Sequence, residues 1–260
     1  LPVVSFTGSD KVGFEIQKAV PHKHITLELG GNAAAVILED WNSEADLTWA
    51  ASRIATFGTY QAGQSCISVQ RVLIHDSLFP ELSKRIVAAV AALPNGDPRD
   101  EKTIVGPMIN EAAAMRVEEW VNEAVAAGAK ILTGGTRNGS YYDPTVLVDV
   151  PKDAKVSCNE VFGPVIVLNS VSSTDEAFAI VNDSPFGLQA GVFTHNVQAA
   201  FRAHSELEVG GVIIDDAPTF RSDQMPYGGV KASGVGKEGL RHAMQDFTHE
   251  RILVLSGLDL

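Results

Sequence analysis

Strands alternating with helices along the whole chain predict an α/β fold, with a mostly parallel sheet covered by helices on both faces. Two observations carry the prediction. Short apolar runs rich in Val, Ile and Leu recur between stretches whose apolar residues repeat at helical spacing. Turn-forming clusters separate them, and Pro94-Asn95-Gly96-Asp97-Pro98 is a clear break. No internal repeat or low-complexity tract interrupts the pattern.

In order, residues 3–6 form a short strand that Thr7-Gly8-Ser9-Asp10 ends. Ser9 or Asp10 caps a helix over 11–20, which Pro21 stops. Such a turn offers N–H groups and a positive dipole end to an anion, although an ordinary βα turn explains the same residues. In the next strand Ile25, Leu27 and Leu29 share one face, and Thr26 and Glu28 the other. Gly30 and Gly31 then admit a close neighbour. Residues 33–38 are a strand. Ser43 with Asp46 caps a helix over 44–60, where Leu47, Ala50, Ala51, Ile54 and Phe57 recur. A polar loop, 61–66, leads to a strand at 69–75. Helices follow at 80–93 and at 110–127, the second closed by Gly128. Short strands are expected at 130–132 and within 141–150, where Pro144 implies an edge or a bend. A buried strand within 161–171 precedes a helix at 175–182, a strand at 187–194, a helix at 197–208 and a strand at 212–215. Residues 226–239 read as a glycine-rich ordered loop, followed by a helix to about 247. Residues 251–255 are a final strand with no sequential partner.

Composition narrows the function. With 260 residues, 45% hydrophobic and 20% charged, the chain has enough apolar material for a sizeable core. A formal net charge of -12 argues against a nucleic-acid partner, because an acidic surface repels phosphate backbones. No apolar stretch reaches membrane-spanning length, and no signal-peptide pattern stands at the start. Two cysteines, Cys66 and Cys158, make no disulfide framework; their pairing stays open, and a reducing, cytoplasmic setting is the simpler expectation. No Cys/His cluster has metal spacing. His22 and His24 fit surface positions at a strand entry better than a ligand pair, so no metal is expected.

Cys66 ends the polar loop at a helix-to-strand junction, where a nucleophile is well held; an inert buried cysteine is the plainer alternative. Glu28 ends an apolar strand. If buried there it has a raised pKa and serves as a base near neutral pH; if at a solvated edge it does not. No histidine stands in a pattern that supports a Cys/His dyad.

Five motifs taken together carry a resemblance: Phe6-Thr7-Gly8-Ser9, Leu27-Glu28-Leu29-Gly30-Gly31-Asn32, Gly63-Gln64-Ser65-Cys66, Glu160-Val161-Phe162-Gly163-Pro164, and Pro226-Tyr227-Gly228-Gly229-Val230-Lys231-Ala232-Ser233-Gly234. In this order the chain resembles the C-terminal, catalytic-domain portion of NAD(P)-dependent aldehyde dehydrogenases. The resemblance implies that Cys66 attacks an aldehyde to give a thiohemiacetal, that a thioester follows, and that Glu28 activates the water that hydrolyses it. It implies that Cys66 N–H is one oxyanion donor, and that Gly8, Ser9, the Leu29 carbonyl, Glu160 and Phe162 contact the cofactor, NAD or NADP. Glu28 favours release of the free acid over acyl transfer to coenzyme A.

The resemblance also divides the chain into residues 1–30, the tail end of the dinucleotide-binding domain, residues 31–228, the catalytic domain, and residues 229–260, a Gly-rich loop, helix and C-terminal oligomerisation strand. A homodimer or homotetramer is implied; for residues 251–255 an edge strand of the chain's own sheet is the alternative. Tyr60, Ile67 and Thr219-Phe220-Arg221 flank the site, with Arg221 either meeting an anionic or hydroxylated aldehyde or pairing at the surface with a carboxylate such as Asp223. Two departures stand out. The family's second oxyanion donor, an asparagine, lies upstream of Leu1, and Gln61-Ala62 replaces the more usual Asn-Gln. The expectation is a fragment, inactive by itself. The competing readings are a cofactor-independent cysteine thioesterase or esterase, and a non-catalytic oligomerisation module.

Overall fold

Ala34–Ile37 is buried at every position, and so are the first four residues of Arg71–His75 and of Val165–Val171. Strands of this kind are stable only with helices on both faces, and the computed structural model, which describes residues 2–257, has that arrangement. In chain order the elements are β1 (Val3–Thr7), α1 (Asp10–Ala19), β2 (His24–Glu28), β3 (Ala34–Ile37), α2 (Glu44–Thr59), β4 (Arg71–His75), α3 (Phe79–Ala91), α4 (Glu111–Ala126) and β5 (Lys130–Thr133). Then come β6 (Arg137–Asn138), β7 (Tyr141–Tyr142), β8 (Thr145–Val148), α5 (Lys155–Cys158), β9 (Val165–Val171), α6 (Thr174–Asn182), β10 (Phe186–Gly187) and β11 (Gln189–Phe193). The chain continues with α7 (Val197–Glu206), β12 (Gly211–Ile214), β13 (Val230–Lys231), β14 (Gly234–Val235) and α8 (Leu240–Asp246).

Seven strands form the main sheet in the order β12-β11-β3-β4-β9-β8-β5. Every neighbouring pair is parallel except β5 with β8. Alternation along the strands feeds two cores. Ile37, Val72, Ile74, Ile166 and Leu168 pack with Leu47, Ile54, Leu82 and Ile86 of α2 and α3. On the other face Val36 and Leu73 meet α6 and α7 through Phe178, Val181 and Ala203, while Val165 and Val167 meet Val117 and Val121 of α4. Capping follows the sequence: Ser43 and Asp46 form a reciprocal box at the start of α2, and Ser9 rather than Asp10 caps α1.

A second, three-stranded sheet has the order β1-β2-β14. β1 and β2 are parallel, and β14 returns from the far end of the chain to pair antiparallel with β2, Gly234 opposite Glu28. β2 is thus a central strand with both faces covered at its end; Thr26 and Glu28 are buried with Leu27. That removes the solvated-edge alternative for Glu28.

Two open alternatives are resolved, and two small elements are new. Residues 251–255 make no ladder among the described residues, which removes the alternative of an edge strand in the chain's own sheet, and Ile252 is 92% exposed. Pro144 marks a bend rather than an edge, since β8 lies between β5 and β9. The short helix α5 and the β6-β7 hairpin, too brief for a periodic signal, were not expected.

Candidate active site

The three stretches that carry the polar residues each adjoin the end of a strand, one leaving it and two leading into it. Glu28 ends β2, Cys66 lies between α2 and β4, and Glu160 lies between α5 and β9. The chain reaches Cys66 through Gln61, Ala62 and Gly63, all with positive φ (51°, 55° and 67°). For Gln61 and Ala62 this is the left-handed region that side chains disfavour, so strain is held just ahead of the sulfur. Gly31 has no alternative either: a Cβ there would collide with the Cys66 carbonyl oxygen. The β2–β3 link is therefore pressed against the Cys66 loop.

Cys66, Glu28, Glu160, Phe162, Gly8, Ser9 and Leu29, the residues singled out from sequence, all line one cavity of about 700 Å³. Arg116 and Trp120 of α4, four residues apart on one helix face, add to its wall and were not anticipated. Their spacing was visible in the sequence, but the direction of that face was not. Phe162 has φ of 46° and is 40% exposed, an aromatic ring held out in a disfavoured conformation.

The two carboxylates differ. Glu160 Oε1 accepts from the Gly31 N–H at 2.8 Å. Burial pushes its pKa up to about 7, against the Gly31 hydrogen bond; Asp10 pushes it further and Arg116 opposes. Glu28 is 5% exposed, and neither of its oxygens has a hydrogen-bond partner among the described residues. Burial, and then the Glu238 carboxylate, push its pKa up to about 8, while Arg221 pulls it down. A buried carboxyl without partners is costly as structure and suited to proton transfer near neutral pH.

Cys66 and Cys158 are both free thiols. Burial pushes the Cys66 thiol up and a contact with the Tyr227 hydroxyl pulls it down; Glu160 and Glu28 push it up again. Tyr227 Oη stands 3.0 Å from Cys66 Sγ. The two are 161 residues apart in sequence, and no local pattern announced the contact.

The five flanking residues do not line this cavity. Ile67 packs with Leu188 and Tyr227 against Cys66, and the Thr219 hydroxyl donates to the Ile67 carbonyl at 2.8 Å. Arg221 pairs with Glu238 at 2.7 Å, not with Asp223, and its guanidinium lies 4.5 Å from the centre of the Tyr227 ring. No group of three His, Cys, Asp or Glu placed to hold a metal occurs among the described residues, and no described helix is long and apolar enough to cross a membrane.

Residues 1–253 match the sequence profile of the aldehyde dehydrogenase family. The 3-sulfolactaldehyde dehydrogenase of Priestia aryabhattai is 47% identical over 252 residues, 97% of this chain and 52% of that protein. Aldehyde dehydrogenase 21 from Physcomitrella patens, solved in complex with its reaction product succinate, superposes with a TM-score of 0.91 at 43% identity, over 95% of this chain and 50% of that one. A Mycobacterium tuberculosis aldehyde dehydrogenase complexed with NAD+ gives 0.93 at 32% identity, over 100% of this chain and 54% of that one. The chain spans about half the length of the relatives it matches.

Proposed function

The chain belongs to the aldehyde dehydrogenase family, and we propose that the protein oxidises a small aldehyde to its carboxylic acid with NAD or NADP through Cys66. The observation that carries this reading is the sharing of one cavity by a free thiol, a partnerless buried carboxyl and a carboxylate fixed by a backbone N–H. The cavity suits a nicotinamide dinucleotide. Glu160 offers acceptors to ribose hydroxyls, Phe162 an apolar face, Leu29 a carbonyl, and Gly8 and Ser9 the N-terminal end of α1. When bound, the nicotinamide supplies the hydride acceptor.

Cys66 Sγ adds to the aldehyde carbon, and the new oxyanion takes the Cys66 N–H as one donor. Once the adduct is oxidised to the thioester, Glu28 removes a proton from water, which attacks the acyl carbon and frees the sulfur. A carboxyl with a pKa of about 8 is a stronger base than an ordinary glutamate. The rate of this step rises with pH through that value.

For the substrate we infer a small anionic or hydroxylated aldehyde, met by Arg221 on the Tyr227 side of the sulfur. The names of the 3-sulfolactaldehyde relative and the succinate complex support that choice. The pairing of Arg221 with Glu238 makes it conditional on exchange of one anion for another.

We take residues 1–30 as the tail of the cofactor domain, 31–228 as the catalytic domain, and 229–260 as loop, helix and an arm that pairs between subunits in a dimer or tetramer. The exposed apolar side chains of Ile252, Leu253 and Val254 support the arm, and the two free thiols support a cytoplasmic setting.

The test is oxidation of sulfonated, carboxylated, hydroxylated and plain aldehydes by the full-length protein, followed by formation of the reduced nicotinamide. Anionic substrates are expected to lead, and Arg221→Ala to lose that preference. Aldehyde-independent ester cleavage without any need for nicotinamide would replace this reading with the hydrolase one.

A further inference from the structure

Building on Cys66 as the nucleophile, we propose that Tyr227 is a positioning residue for it: the hydroxyl, 3.0 Å from Sγ, fixes the sulfur in one rotamer and donates a hydrogen bond to it as a thiolate.

Tyr227 is 5% exposed and wedged with Ile67 and Leu188 against the cysteine. Three contacts hold it. Its N–H donates to the Glu238 carbonyl at 3.1 Å, and the Glu238 N–H donates back to the Tyr227 carbonyl at 2.6 Å. The Arg221 guanidinium stacks over the ring and is itself tied to the Glu238 side chain. Tyr227 is thus held by Glu238, which follows β14, and by Arg221 of its own loop, and its oxygen stands 3.0 Å from the sulfur.

The charges around Cys66 give that hydroxyl a role. Glu160 and Glu28 face the thiol and oppose its ionisation, as does burial; the Tyr227 hydroxyl is the side chain that favours it, together with the cysteine's own backbone amide. Arg221 faces both Tyr227 and Glu28, and Glu238 faces Glu28. Burial raises the phenol's own pKa, so it stays protonated and donates when the sulfur ionises. A phenylalanine fills the same space without the donor.

The experiment follows iodoacetamide alkylation of Cys66 against pH in the full-length protein, with peptide mass spectrometry separating Cys66 from Cys158. Tyr227→Phe is expected to move the Cys66 profile to higher pH and slow its alkylation near neutrality about tenfold, leaving Cys158 unchanged. Should that variant fold poorly, uniform 3-fluorotyrosine labelling makes the phenol a better donor and is expected to move the Cys66 profile to lower pH. A Cys66 profile unmoved in the labelled protein, or in a folded Tyr227→Phe protein, overturns the proposal. The readout needs neither aldehyde nor nicotinamide. A moved profile in a protein that oxidises no aldehyde would therefore count against the dehydrogenase reading alone.

Discussion

The seven-stranded sheet and the three-stranded sheet each bring a residue to the proposed site, and within residues 2–257 only the first is covered on both faces. β3, β4 and β9 are sealed between α2 and α3 on one face and α4, α6 and α7 on the other. β1 has no fully buried residue, and around its sheet Val12, Leu240, Met244 and Phe247 lie exposed, Leu240 at 70%. Cys66 and Glu160 therefore stand beside the sheet that is covered on both faces. Glu28 stands on a slighter one, held by the Gly8 N–H on its carbonyl at 3.0 Å and by β14 alongside. The proposed chemistry needs both, so the geometry of the sulfur and its proposed base depends on the junction of the two sheets.

Five substitutions test that contrast. Cys66→Ala in the full-length protein removes the nucleophile and is expected to lower aldehyde oxidation by about 10⁴-fold or more, measured by steady-state kinetics. Ile166→Ala, fully buried in the large sheet, is expected to cost about 2–5 kcal/mol in chemical denaturation, whereas Val4→Ala in β1 costs less than about 1.5 kcal/mol. Equal losses would erase the distinction between the sheets. Glu28→Gln reports on the base. Its pKa is raised from 4.5 to about 8, so the folded state binds more protons than the unfolded state across that window. Stability is greatest below it and is lost as pH rises through the folded value. The glutamine removes this loss and is expected to gain about 2–4 kcal/mol near pH 9 and little near pH 4. Smallest, Gln61→Asn places a residue tolerant of left-handed backbone at φ of 51° and is expected to stabilise by up to about 1 kcal/mol in thermal unfolding.

Much of this was legible in the sequence where a local rule governs. The Ser43–Asp46 capping box, the run of apolar strands and the stop at Gly128 follow from spacing and backbone chemistry. The seven site residues came partly from context and partly from the family's motif order, and they meet at one cavity. What stayed hidden depends on partners distant in the chain. Alternation alone left Glu28 equally at home in solvent, because only the return of β14 makes β2 central. Tyr227 stood inside a quoted motif without a role, since its hydroxyl meets a sulfur brought near by the tertiary fold. Residues 251–255 have strand composition and make no ladder among the described residues, because pairing requires an edge that composition cannot supply.

The central claim is that Glu28 releases the acyl group that Cys66 holds. Rapid mixing of full-length Glu28→Gln protein with aldehyde and nicotinamide cofactor tests it directly. The expected result is a burst of about one reduced nicotinamide per site, then slow turnover, with an acyl mass adduct trapped on Cys66. Turnover at the unaltered rate with no adduct would contradict it.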